Sequence, residues 1–200
     1  ASMLSGAGHL LSFTGSDTIP AILFFKKYYG SNLDTELVGG SVPASEHSEM
    51  CCGGLETELE TYRRLLTEVY PKGIVSIVSD TWDFFKVLTD FLPQLKSIIM
   101  NRDGKLVIRP DSGDPVDIIC GTINESGVTN EEKGAIEILW EIFGGTVNSK
   151  GYKQLDPHIG LIYGDSITMN RCRNICSRLE IKGFASTNVV FGIGSFTYQY

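Results

Sequence analysis

Leu106-Val107-Ile108-Arg109-Pro110-Asp111-Ser112-Gly113 is an apolar β-type run that stops at a proline and delivers one cation and one carboxylate into a glycine-containing turn. Val107 and Ile108 favour a buried strand, and Pro110 cannot continue a central ladder. The next residues, Ser112-Gly-Asp-Pro115, can open a helix whose first N–H groups are free to face an anion. Arg109 and Asp111 therefore fall at the carboxyl end of a strand, the edge on which parallel α/β folds build their sites.

The same grammar repeats on both sides. Ile74-Val-Ser-Ile-Val-Ser79 is a strand ending at Asp80, and Trp82 to Met100 is helical with a proline at 93. Ile159-Gly-Leu-Ile-Tyr163 is a strand ending at Gly164-Asp165, followed by a helix over 167–179, and Asn188 to Gly194 is a strand running into glycines. Upstream, Ser5-Gly-Ala-Gly8 reads as a turn ahead of a short strand, Leu10 to Phe13. Thr14-Gly-Ser-Asp17-Thr18 is a capping turn before a helix over 19–29, with Asp17 either an N-cap or a site residue. Leu37 to Ala44 reads as a second strand, and Ser45-Glu-His47 opens the next helix. Thr146 to Pro157 is polar and irregular, of hairpin type. Strand, polar turn and helix alternate about six times without an internal repeat, so the expected class is α/β with a β/α barrel-like core. Such a barrel would gather Asp17, His47, Asp80, Arg109, Asp111, Asp165 and Gly194 at one mouth.

Composition narrows the chemistry. Seventeen basic against 24 acidic residues give a formal charge of −7, and no run of Lys and Arg exists to neutralise a nucleic-acid backbone. No apolar run approaches the ~20 residues of a membrane span, so a cytoplasmic chain is expected. The five cysteines form no CxxC pair, which favours reduced thiols over a zinc site. A site with one arginine, glycine turns and several carboxylates suits a phosphorylated sugar: the arginine and helix N-termini take phosphate, and the carboxylates take hydroxyls or Mg²⁺. His47 is an acid, a base, a phosphate acceptor or simply a first-turn helix residue.

Taken in order, Phe13-Thr-Gly-Ser-Asp17-Thr, Lys26-Lys-Tyr-Tyr-Gly30, Ser41-Val-Pro-Ala-Ser-Glu-His47-Ser, Val78-Ser-Asp80, Ile108-Arg-Pro-Asp-Ser-Gly113, Asn148-Ser-Lys-Gly-Tyr-Lys153, Gly164-Asp165 and Phe191-Gly-Ile-Gly194 closely resemble the nicotinamide phosphoribosyltransferase family, in wording nearest its bacterial or phage members. The resemblance implies an incomplete type II phosphoribosyltransferase core, with residues 1–200 forming a single partial catalytic domain of a longer, homodimeric enzyme. It implies transfer of phosphoribose from phosphoribosyl pyrophosphate to the ring nitrogen of nicotinamide, giving nicotinamide mononucleotide for NAD salvage, with Mg²⁺ bound alongside the pyrophosphate. It gives Asp17 the carboxamide, Arg109 the phosphate or pyrophosphate, and Asp111 the ribose hydroxyls. Gly164, Asp165, Gly194 and Ser195 receive further sugar and phosphate contacts. Ser41, Val42, Ala44, Ser76, Val107 and Ile162 become the walls around the pyridine ring. His47 becomes the histidine that ATP phosphorylates to stimulate turnover, with Asp80 beside it to orient the imidazole. Two alternatives stay open: a relative acting on nicotinic or quinolinic acid, and a noncatalytic module that binds phosphorylated nucleotides.

Overall fold

Strand β1 (Lys72–Val78) pairs in parallel with β2 (Asp103–Arg109), and β2 with β5 (Ile159–Tyr163), which in turn pairs with β6 (Val189–Phe191). The sheet order β1-β2-β5-β6 follows the chain, as it does when each crossover steps the same way around a β/α barrel. The computed structural model describes residues 2–122 and 129–194, and it divides the chain into two compact units, Ala1–Pro43 and Ala44–Tyr200.

In the larger unit the strands are laid down by their β-branched runs. Register aligns Ile77, Ile108, Leu161 and Val189 in one row and Val75, Leu106 and Ile159 in the next, all buried. Burying each such side chain contributes roughly 1.5–3 kcal/mol. Because side chains alternate across a strand, Ser76, Val107 and Gly160 form a row on the opposite face. The β1 to β2 crossover is α5 (Phe84–Lys86), continuing through Val87–Phe91 into α6 (Leu92–Met100). Just before Pro93 the helix widens, with Leu92 N–H reaching Val87 O, so the helix accommodates a proline that has no N–H of its own. Between β2 and β5 run α7 (Pro115–Cys120), α8 (Asn130–Lys133) and α9 (Ala135–Phe143), then a hairpin of β3 (Gly145–Val147) and β4 (Lys153–Leu155). Helix α10 (Met169–Ile181) links β5 to β6. Among the described residues no helix is long and apolar enough to cross a membrane.

Two positions show how tightly these elements meet. A Cβ on Gly104 would lie 2.0 Å from the Gly73 carbonyl oxygen, so only glycine lets β1 and β2 start side by side. Ser45 forms a stitch at the free edge of β1. Its N–H donates to Ser76 O at 2.9 Å, its hydroxyl accepts from Val78 N–H at 3.0 Å, and Ala44 bridges Ser76 in parallel.

The residues of α4 (Glu58–Arg64) continue helically through Leu65–Val69. Tyr62 on this helix is fully buried and its hydroxyl donates to Ser79 Oγ at 2.9 Å. Glu58, at the first turn, is 1% exposed, and its Oε1 has no hydrogen-bond partner. Burial raises its carboxyl from 4.5 to about 7; Lys86 opposes that rise and Asp83 adds to it.

The smaller unit departs from the sequence reading at two places. Residues 5–13, read as a turn and a strand, instead supply most of helix α1 (Ser2–Leu10) and the turn after it. Gly6 is the reason: a Cβ there would come within 2.9 Å of Ala21 Cβ on α2 (Ile19–Phe24), so the glycine serves close helix packing instead of a loop. Ala7, Leu10, Ala21 and Phe25 form the small core. The run Leu37 to Ala44 is no continuous strand. Within this unit it makes one bridge, Gly40 to Gly15, because its alternation is interrupted by Gly39 and Gly40 and few side chains can anchor a ladder.

Candidate active site

Three segments of the larger unit meet at the carboxyl edge of β1 and β2. His47 is the first residue of α3 (His47–Cys51), a helix begun by Glu46, whose N–H donates to the Glu49 carboxylate at 3.1 Å. Asp80 and Thr81 follow β1, and Arg109 closes β2 with Asp111 two residues on. His47 Nδ1 lies 3.1 Å from Thr81 Oγ1, while Nε2 faces Asp111 Oδ2 at 3.8 Å and Asp80 Oδ1 at 3.9 Å.

Asp80 organises the turn. Its side chain is 6% exposed, and its Oδ2 accepts from Asp111 N–H at 2.9 Å and from the Ser112 hydroxyl. Its Oδ1 is buried, has no hydrogen-bond partner among the described residues and points at the histidine side of the cluster. Tyr163, at the end of β5, braces the same turn by donating to the carbonyls of Ser112 at 2.8 Å and Gly113 at 3.0 Å.

Arg109 is held by Ser45: its Nη2 donates to Ser45 O at 2.6 Å and lies 3.4 Å from Glu46 Oε2 and 3.9 Å from Asp111 Oδ2. Its Nε is buried and has no partner among the described residues. Burial pushes the Asp111 carboxyl up, an effect opposed by Arg109 and His47 and reinforced by Asp80 and Glu46. The cluster thus combines an imidazole, a guanidinium and two close carboxylates, an arrangement that can neutralise phosphate on one side and accept from hydroxyls on the other.

The glycines close one flank. A Cβ on Gly164 would stand 3.6 Å from Asp111 Oδ1, and one on Gly192 would stand 2.7 Å from Gly164 Cα. Gly194 is exposed beyond β6, and Asp165 is exposed immediately after Gly164, its charge helping to hold the Tyr163 hydroxyl in its protonated form. Ser195 lies outside the described residues. Ser76 and Val107 share a row on the sheet face opposite the buried one, Ala44 bridges Ser76, and Ile162 sits on that face of β5.

In the smaller unit Asp17 does not cap α2. Thr18 holds that position without a side-chain cap bond, and the Asp17 carboxylate accepts from the Ser41 hydroxyl. Asp17, Ser41 and Val42 are all exposed there. Sequence reading did not single out Thr81 or Tyr163. Each stands next to a residue it did single out, Asp80 or Gly164, which is the only signal the sequence offers for them.

A parallel β/α sheet whose carboxyl edge gathers an arginine, paired carboxylates and a helix-borne histidine is consistent with a phosphoribosyltransferase core. The chain belongs to the nicotinate phosphoribosyltransferase (NAPRTase) family, whose model matches residues 2–200. It is similar to proteins named nicotinamide phosphoribosyltransferase: 56% identical to one from Acinetobacter baylyi across 98% of this chain and 39% of that protein. It is 43% identical to one from Mycoplasma pneumoniae (96% of this chain, 39% of the relative) and 37% identical to one from Xanthomonas campestris pv. campestris (98% and 38%). The chain therefore spans about two fifths of the length of the curated relatives it matches.

Proposed function

We propose that this chain carries catalytic residues of a nicotinamide phosphoribosyltransferase, which moves phosphoribose from phosphoribosyl pyrophosphate to nicotinamide and releases pyrophosphate, a step of NAD salvage. The observation that supports this most is the convergence of His47, Asp80, Arg109 and Asp111 within 4 Å neighbour distances at one strand edge. The pyridine nitrogen is already a nucleophile, so the transfer needs placement and charge more than a base. As the anomeric C–O bond breaks, positive charge grows on the ribose and negative charge on the leaving pyrophosphate. Asp111 is assigned to the first and Arg109, with Gly164 and Gly194, to the second; Asp165 takes sugar hydroxyls, and Ser195, outside the described residues, is assigned a further sugar or phosphate contact.

Mg²⁺ keeps waters and binds through one or two carboxylates plus substrate phosphates, and Asp111 is the partly exposed carboxylate suited to it. When bound, Mg²⁺ neutralises the developing pyrophosphate charge. ATP is the stimulating co-substrate, acting through His47. Asp17 is the specificity residue: an ionised carboxylate accepts from the nicotinamide NH₂ and repels the carboxylate of nicotinic acid. Within the smaller unit Ser41, whose hydroxyl donates to Asp17, and Val42 are assigned to the nicotinamide; within the larger unit Ala44, Ser76, Val107 and Ile162 are assigned to its ring. A homodimer in the cytoplasm completes the reading.

The test is mass-spectrometric detection of product from nicotinamide or nicotinic acid, offered with phosphoribosyl pyrophosphate, Mg²⁺ and ATP. Nicotinamide mononucleotide in excess is the expected result. Preference for the acid would reverse the substrate assignment, and nucleotide binding without either product would favour a noncatalytic module.

A further inference from the structure

His47 is the one member of the cluster whose ring can turn, and each of its nitrogens meets a different environment. Nε2 faces the carboxylates of Asp80 and Asp111 at 3.9 and 3.8 Å, and Nδ1 meets the Thr81 hydroxyl at 3.1 Å. A hydroxyl both donates and accepts, so it bonds Nδ1 whichever ring nitrogen carries the proton. We infer that Thr81 is a positioning residue whose hydroxyl hydrogen-bonds His47 Nδ1 and holds the imidazole in the orientation that turns Nε2 toward the two carboxylates.

Three further features support the role. The histidine side chain is 47% exposed, so packing alone does not fix its rotation. Thr81 is half-buried and directly follows Asp80, so one short turn sets both the hydroxyl at Nδ1 and a carboxylate facing Nε2. Asp80 itself is fixed through Oδ2 by Asp111 N–H and Ser112, which leaves its buried Oδ1, without a hydrogen-bond partner among the described residues, available toward the ring. A ring flipped by half a turn would exchange Nδ1 with Cδ2 and Nε2 with Cε1, turning C–H edges toward Thr81 and the carboxylates and leaving the Thr81 hydroxyl to water. The inference rests on the functional reading above only for its kinetic consequence.

The experiment pairs Thr81→Val, which keeps the shape and removes the hydroxyl, with Thr81→Ser, which restores it. Ring ¹⁵N shifts of His47 are recorded at one fixed pH, and ATP stimulation of nicotinamide mononucleotide formation is measured in the same proteins. In the parent, the Nδ1 shift should be that of a nitrogen hydrogen-bonded to the protein. Thr81→Val should move it toward that of a water-exposed nitrogen and lower ATP stimulation about 2–12-fold, the loss of one net hydrogen bond, and Thr81→Ser should recover both. Parent-like shifts and stimulation in Thr81→Val would overturn the inference, as would equal impairment of the Val and Ser variants. A parent that shows no ATP stimulation defeats the role given to His47 in the proposed reaction, and the nitrogen shifts still decide the Thr81 contact.

Discussion

Replacing Glu58 with glutamine isolates the energetic effect of one buried carboxyl. Glu58 is 1% exposed, its Oε1 has no partner, and burial lifts its carboxyl from 4.5 to about 7. The folded chain therefore holds this proton over a pH range in which the unfolded chain has already released it. The stability tied to that proton is fully present below pH 4.5, declines as pH rises, and is gone above about 7. A gap of this size corresponds to at most about 3 kcal/mol. Glutamine is neutral at every pH and nearly isosteric, so Glu58→Gln should gain on the parent as pH rises. The assay is urea unfolding followed by circular dichroism for both proteins from pH 4.5 to 8, taking the difference between them so that all other titrating groups cancel. The variant-minus-parent stability should climb by up to about 3 kcal/mol across that window, equivalent to a relative rise in Tm on the order of 6–12 °C for a chain of this size. A difference that stays flat with pH would refute the account of Glu58 as a desolvated carboxyl, and a falling one would mean that Lys86 outweighs burial.

Asp17→Asn should narrow the preference for nicotinamide over nicotinic acid by on the order of tenfold or more, because a like-charge repulsion is removed; unchanged selectivity in competing-substrate assays would remove its assigned role. His47→Ala should abolish ATP stimulation and leave slow transfer, and acceleration of that variant by ATP would count against a phosphorylated histidine. Gly104→Ala forces a Cβ to within 2.0 Å of the Gly73 carbonyl and should cost about 1–3 kcal/mol of stability, read as a lower thermal midpoint; a midpoint matching the parent would show that β1 and β2 can part without loss.

What the sequence made legible was the set of strands that carry their own punctuation. β1 and β2 are β-branched runs closed by Asp80 and by Pro110, and both the strands and the polar residues at their ends stand where those signals put them. β5 and β6 were legible for the same reason, since Gly164-Asp165 and the glycines after Phe191 end them abruptly. Helix α1 was not legible, because Gly6 and Gly8 have poor helix propensity and the packing of Gly6 on Ala21 is a tertiary fact. The run Leu37 to Ala44 has apolar residues without a neighbour strand to pair with along its length, and periodicity cannot report a missing partner. Thr81 illustrates a different limit: a threonine after a strand is unremarkable in sequence, and its meaning comes from the 3.1 Å approach of a histidine 34 positions away.

Ser45 joins two tasks that proteins often keep apart. Its amide and hydroxyl stitch it to the outer edge of β1, and its carbonyl receives the guanidinium of Arg109 from the end of β2. The same residue that tells the sheet where its edge lies also tells the cation where to stand. The arginine has no correct position until that edge is formed, and fraying of the edge would set it adrift before any strand of the core had parted. Local loosening at Ser45 would thus displace Arg109, and under the proposed function weaken phosphate binding, in a protein whose spectroscopic signature still read as native.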